Sequence, residues 1–114
     1  MRIVYMGTPD FAVAPLEAII AAGHEVVAVV TQPDKQKGRG KEVQMTPVKM
    51  VALEHGIPVY QPRRIREAAE VEILRQIPAD IFVVAAFGQI LSQEILDMPK
   101  FGCVNIHASL LPKY

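Results

Sequence analysis

RIVYMGTPDFAVAPLEAIIAAGHEVVAVVT, residues 2–31, is the stretch that decides the fold. It holds two runs, RIVYM (2–6) and EVVAVVT (25–31), that are nearly continuous in apolar side chains and rich in Val and Ile. Strands covered on both faces read this way, whereas a half-exposed strand alternates. The intervening DFAVAPLEAIIAAGH has a helical pattern. Thr8, Pro9 and Asp10 suit its N-terminus and Gly23 its end, while Pro15 predicts a kink or a late start. Strand, helix and strand in succession imply a parallel pair joined by a right-handed crossover.

The same rhythm continues outward. DIFVVAA (80–86) and CVNIH (103–107) are further strong runs, and IPVY (57–60) is a weaker one. TPVKMVALEHG (46–56) reads as a helix from a Thr-Pro start to a Gly56 stop. RRIREAAEVEILRQI (63–77) is helical by propensity and ends at Pro78, and SQEILDM (92–98) is a short helix stopped by Pro99. His24 and His55, each beside a helix-ending glycine, are expected to cap carbonyls. The expected fold is α/β, a Rossmann-like doubly wound and mostly parallel sheet with strand order 3-2-1-4-5. Only QPDKQKGRGKEVQM (32–45) fits neither element type. It carries two glycines and the cations Lys35, Lys37, Arg39 and Lys41, and a connection of that length is either functional or disordered.

Composition sets the bounds. The chain has 114 residues, 51% hydrophobic and 21% charged, with formal net charge +0, which is one ordinary soluble domain whose global charge names no partner. No apolar run approaches the roughly 20 residues of a membrane span, so no membrane partner is expected. The start MRIVYMG lacks a secretory cleavage site, and the single cysteine, Cys103, cannot form an internal disulfide; both suit a cytoplasmic location.

Open parallel sheets bind ligands beyond the carboxyl ends of their strands, where strand order reverses. Three distinctive segments fall at such ends: GTPDF (7–11), FGQIL (87–91) and NIHASLLP (105–112). GTPDF has Gly7 but neither the G-x-G-x-x-G of a dinucleotide fold nor a Walker A loop, which disfavours NAD and FAD. Asn105 and His107, two apart on a strand, share a face with Cα atoms about 6.6 Å apart. They read either as hydrogen-bonded residues finishing a strand or as a reactive pair. Cys103 lies about 13 Å from His107 on that face, too far for a Cys–His nucleophile, and reads as a small buried apolar residue. No second ligand stands at metal spacing around His107, so no metal is expected. An Asn amide can hold an oxyanion, and a near-neutral His can donate to the same oxygen or move a proton. Together they suit acyl transfer in which a substrate amine attacks directly. A carboxylate to orient the His is not nearby in sequence. The apolar ASLLPKY that follows is equally an exit loop or the lining of a pocket for a flat cofactor.

NIHASLLPKY (105–114) resembles the Asn-x-His-x-Ser-Leu-Leu-Pro segment of the folate-dependent formyltransferases. MGTPDFAVAPLEAI, TQPDKQKGRGKEVQMTPVK and FGQILSQEILDMPKFGCVNIHASLLP resemble the branch of that family that acts on methionyl initiator tRNA, rather than the purine or sugar-nucleotide branches. The resemblance covers the whole chain. It implies transfer of a formyl group from 10-formyltetrahydrofolate to the α-amine of methionyl initiator tRNA, with Asn105 and His107 catalytic. It further implies that Ser109, Leu110, Leu111 and Pro112 border the folate and that Gln89, Ile90 and Leu91 read the pterin edge through backbone groups. Gly7, Thr8, Pro9, Asp10 and Phe11 would face the acceptor end, and Lys35, Lys37, Arg39 and Lys41 would follow tRNA phosphates. The chain is expected to be the N-terminal part of the catalytic domain of a longer, monomeric enzyme, lacking that family's catalytic Asp and second domain. Alone it is expected to be inactive, or nearly so, and to self-associate through an exposed strand edge. The alternatives are a formyltransferase with a sugar-nucleotide or purine acceptor, and a non-catalytic α/β module that binds a small ligand.

Overall fold

A computed structural model describes residues 1–38, 40 and 42–107. In chain order the elements are β1 (Arg2–Gly7), a 3-10 turn (Asp10–Ala12), α1 (Val13–Ala21), β2 (Glu25–Val30), β3 (Lys35–Lys37), β4 (Glu42–Gln44), α2 (Pro47–Glu54), β5 (Val59–Tyr60), α3 (Ala68–Arg75), β6 (Ile81–Ala85), α4 (Gln93–Leu96) and β7 (Cys103–Asn105). Five strands form one sheet in the order β5-β2-β1-β6-β7, and each pairing is parallel. With the strands of this sheet counted along the chain, that is the expected 3-2-1-4-5.

The register explains why the runs are continuous. Val59, Val29, Tyr5, Val83 and Val104 form one row across the sheet, and Tyr60, Val30, Met6, Val84 and Asn105 form the next. Alternate rows face opposite layers. Ile3, Tyr5, Val29, Val83 and Ala85 are buried with Leu16 of α1 and Val48, Val51 and Ala52 of α2. Val4, Met6, Ala28, Val30 and Phe82 are buried with Ile65, with Val71 and Leu74 of α3, and with Phe87 and Ile95. Both sides of each central strand must therefore be apolar.

Local chemistry sets the helix ends. Thr46 caps α2 by accepting from Lys49 N at 3.1 Å, with Pro47 in the first turn. Ser92 caps α4 in the same way, accepting from Ile95 N at 3.4 Å. Pro15 sits in the first turn of α1, where its missing N–H costs nothing, and the start is late because the 3-10 turn precedes it. His24 and His55 cap through their backbone: His24 N donates to Ile19 O at 3.4 Å, and His55 N donates to Val51 O and Ala52 O at 3.2 Å each.

Two expectations change. The helix read over 63–77 occupies only Ala68–Arg75. Ile65 is fully buried in the α3 layer and its N–H goes to the Gln89 side chain at 2.6 Å, so a tertiary bond takes the backbone group a helix would use. The 32–45 stretch is not structureless either. Its ends pair as an antiparallel hairpin, Lys35 with Gln44, Gln36 with Val43 and Lys37 with Glu42. No helix among the described residues is long and apolar enough to cross a membrane.

Candidate active site

The carboxyl edge of the sheet gathers the turns after β1, β2, β5, β6 and β7, and side-chain hydrogen bonds knit them together. Thr8 is the first knot. Its hydroxyl donates to Phe87 O at 2.7 Å and accepts from Gln32 N at 3.3 Å, joining the ends of β1, β6 and β2. Gly7 permits this closeness, because a Cβ there would lie 2.9 Å from both Ala12 Cβ and Ala85 O. Pro9 and Asp10 are exposed, whereas Phe11 is half-buried against the α1 layer.

The end of β2 forms the second knot. Buried Thr31 shares a 2.7 Å hydrogen bond with Thr46. Asp34, at the root of the hairpin, accepts from Lys49 Nζ at 2.9 and 3.1 Å and from Gln61 Nε2 at 2.7 Å. Gln61 Nε2 also donates to Gln32 O at 3.1 Å. Hydrogen bonds from Lys49 and then Gln61 hold the Asp34 carboxyl below the usual carboxylate range. Lys35 and Gln36 beyond it are exposed, while Arg39 and Lys41 lie outside the described residues.

The bend after β6 is the third. Ala86 is exposed with φ +54°, a left-handed conformation rare for a residue with a Cβ, and Gly88 has φ +100°. Between them Phe87 is buried as an anchor. Gln89 turns its side chain inward to Gln32, Pro62 and Ile65, Leu91 is half-buried, and Ile90 is 76% exposed.

Asn105 is paired with Val84, and Ile106 N carries the ladder one step further by donating to Val84 O at 2.8 Å. Asn105 and His107 are both exposed at this edge. Cys103 is half-buried, packs on the α3 layer, and has its thiol pushed up by burial, which suits an inert residue. Ser109, Leu110, Leu111 and Pro112 lie outside the described residues. No cluster of three His, Cys, Asp or Glu among the described residues could hold a metal ion.

Sequence reasoning missed a cleft at this edge. It measures about 620 Å³ and lies between residues 63–67, which contribute Arg63, Arg64 and Arg66, and residues 88–90. The available signal was three arginines in four positions directly after a strand and Pro62; helical propensity masked it. A smaller cleft of about 200 Å³ lies between Thr8, Gln32, Lys35 and residues 44–47.

Fold and rim together define a doubly wound α/β protein whose polar groups converge at the switch point of the sheet. Comparison shows which one: residues 1–114 match the formyl transferase family model, and the chain belongs to that family. It is 68% identical over its full length to a methionyl-tRNA formyltransferase of Agathobacter rectalis, of which it covers 37%. It is likewise 60% identical to that of Alkaliphilus metalliredigens and 61% identical to that of Lachnospira eligens, each covered to 36%. The chain thus spans just over a third of the length of these curated relatives.

Proposed function

We propose that this chain supplies the oxyanion-holding pair, the donor cleft and the acceptor rim of a cytoplasmic enzyme of translation initiation. That enzyme moves a formyl group from 10-formyltetrahydrofolate to the α-amine of methionyl initiator tRNA. The supporting observation is that Asn105 and His107 stand exposed at the edge that also carries the 7–11 turn and the 88–91 bend. Family membership and the names of the relatives point the same way.

The donor is a flat heterocycle ending in glutamyl carboxylates, and the large cleft fits it. One side is a backbone bend with glycine at its start, able to pair with a heterocycle edge at Gln89, Ile90 and Leu91. The other carries Arg63, Arg64 and Arg66, suited to carboxylates. Asn105 donates its amide N–H to the formyl oxygen as charge develops there during attack by the amine. His107 donates to the same oxygen or moves a proton to the departing folate nitrogen. Thr8, Pro9 and Asp10 border the acceptor, with Gly7 and Phe11 setting the turn. Lys35 and Lys37 offer cations on a hairpin that springs from the same edge, suited to tRNA phosphates, and Arg39 and Lys41 are assigned to the same role on sequence resemblance alone. Ser109, Leu110, Leu111 and Pro112 are assigned to the folate border on sequence resemblance alone.

The test is kinetic. In the full-length enzyme Asn105→Ala and His107→Ala should each lower kcat by on the order of 100-fold or more, with donor binding retained. Retained turnover with lost binding would instead mark a ligand-binding module. Comparing methionyl-tRNA with purine-ribotide and sugar-nucleotide amines as acceptors decides the branch.

A further inference from the structure

The Gln89 carboxamide is saturated by groups from two other loops. Its Nε2 donates to Gln32 Oε1 at 2.8 Å and to Pro62 O at 2.9 Å, and its Oε1 accepts from Ile65 N at 2.6 Å. The amide orientation is forced, because a proline carbonyl can only accept and a backbone N–H can only donate. Gln32 must then turn its own oxygen toward Gln89. Its Nε2 lies over Gly88, 2.6 Å from where a Cβ would stand. Pro62 and Ile65 bracket Arg63 and Arg64 on the arginine side of the large cleft, while Gly88, Gln89 and Ile90 form the other side. The two sides are thus joined through one side chain, and Gln32 ties both to the turn after β1 by donating its N–H to Thr8.

We propose that Gln89 is a positioning residue for the formyl donor: its side chain sets the separation of the cleft's two sides while its backbone is left to face the ligand. The proposal rests on the reading that residues 88–91 face the donor. A network of this kind, fully paired, holds one geometry, and partial loss releases it. Methionine in place of Gln89 keeps length and bulk but removes all three bonds. Methionine in place of Gln32 removes only one of them.

The experiment is steady-state kinetics on the full-length enzyme, with 10-formyltetrahydrofolate and methionyl-tRNA each varied. Gln89→Met should raise donor KM about tenfold or more, the scale of losing two or three such bonds, with little change in tRNA KM or kcat. Gln32→Met should raise donor KM by less, and the double variant should be no worse than Gln89→Met, since both act through one brace. Unchanged donor KM in Gln89→Met overturns the proposal, as does a fall in kcat alone, which marks a merely structural role. If Gln89→Met does not fold, an unchanged donor KM in Gln32→Met overturns it equally. Wild-type enzyme that fails to saturate with the donor defeats the underlying reading, and this proposal with it.

Discussion

Ala86 shows most directly how a single residue shapes the edge. Its φ of +54° ends β6 and starts the bend that turns Phe87 into the core and Gln89 toward Pro62. A β-branched side chain is far less tolerant of that conformation than alanine. Ala86→Val should therefore cost about 1–3 kcal/mol, read as a lower urea midpoint with unchanged slope. No loss would mean that the bend is not held in the left-handed region. Asn105 and His107 are paired from sequence by a two-residue spacing expected along one strand, but β7 ends at Asn105 and His107 lies two residues beyond it. The role of the Gln89 side chain could not be read from sequence, because its three partners come from residues 32, 62 and 65.

Elements gain meaning from where they are rooted. The β3–β4 hairpin leaves the edge just after Asp34, which Lys49 of α2 and Gln61 after β5 both hold. Because the folded-state pKa of Asp34 is depressed, its contribution is fully present above the ordinary carboxylate value and is lost as pH falls through the folded value. Wild type should thus be more stable than Asp34→Asn near pH 6, and the gap should shrink as pH falls below the ordinary carboxylate range and close once it passes through the lowered folded value. A gap that stays constant across that range would sink the assignment. Lys49 carries a second duty, since its backbone N–H is capped by Thr46, itself bonded to Thr31. The hairpin root, α2 and the end of β2 are therefore one unit, consistent with the hairpin serving as a directed arm. Sequence reading could identify the cations but not this anchorage, which joins residues 15 and 27 positions apart.

At the scale of the whole molecule the two sheet edges differ. β5 contributes two residues, while β7 is paired with β6 on one side among the described residues, with Val104 47% and Phe101 57% exposed nearby. The segment CVNIH carries no Lys, Arg, Asp or Glu that would discourage strand addition. The 114-residue chain should accordingly associate as its concentration rises, and Val104→Lys should reduce this in sedimentation velocity. Identical behaviour of wild type and variant would place any association elsewhere.

Sequence alone determined the five strands of the main sheet, their parallel order and the points at which polar residues leave it. Continuous Val- and Ile-rich runs record burial on two faces, and that is a local property of the chain. Tertiary structure decided the late start of α3, the pairing of the hairpin, the arginine-lined cleft and the amide brace across it. The hairpin pairs within residues 35–44, whereas the α3 start, the cleft and the brace depend on hydrogen bonds or close approach between loops that meet only once strand order has brought them to one edge. Such contacts carry no sequence period, and the three arginines after Pro62 mark only one wall of the cleft.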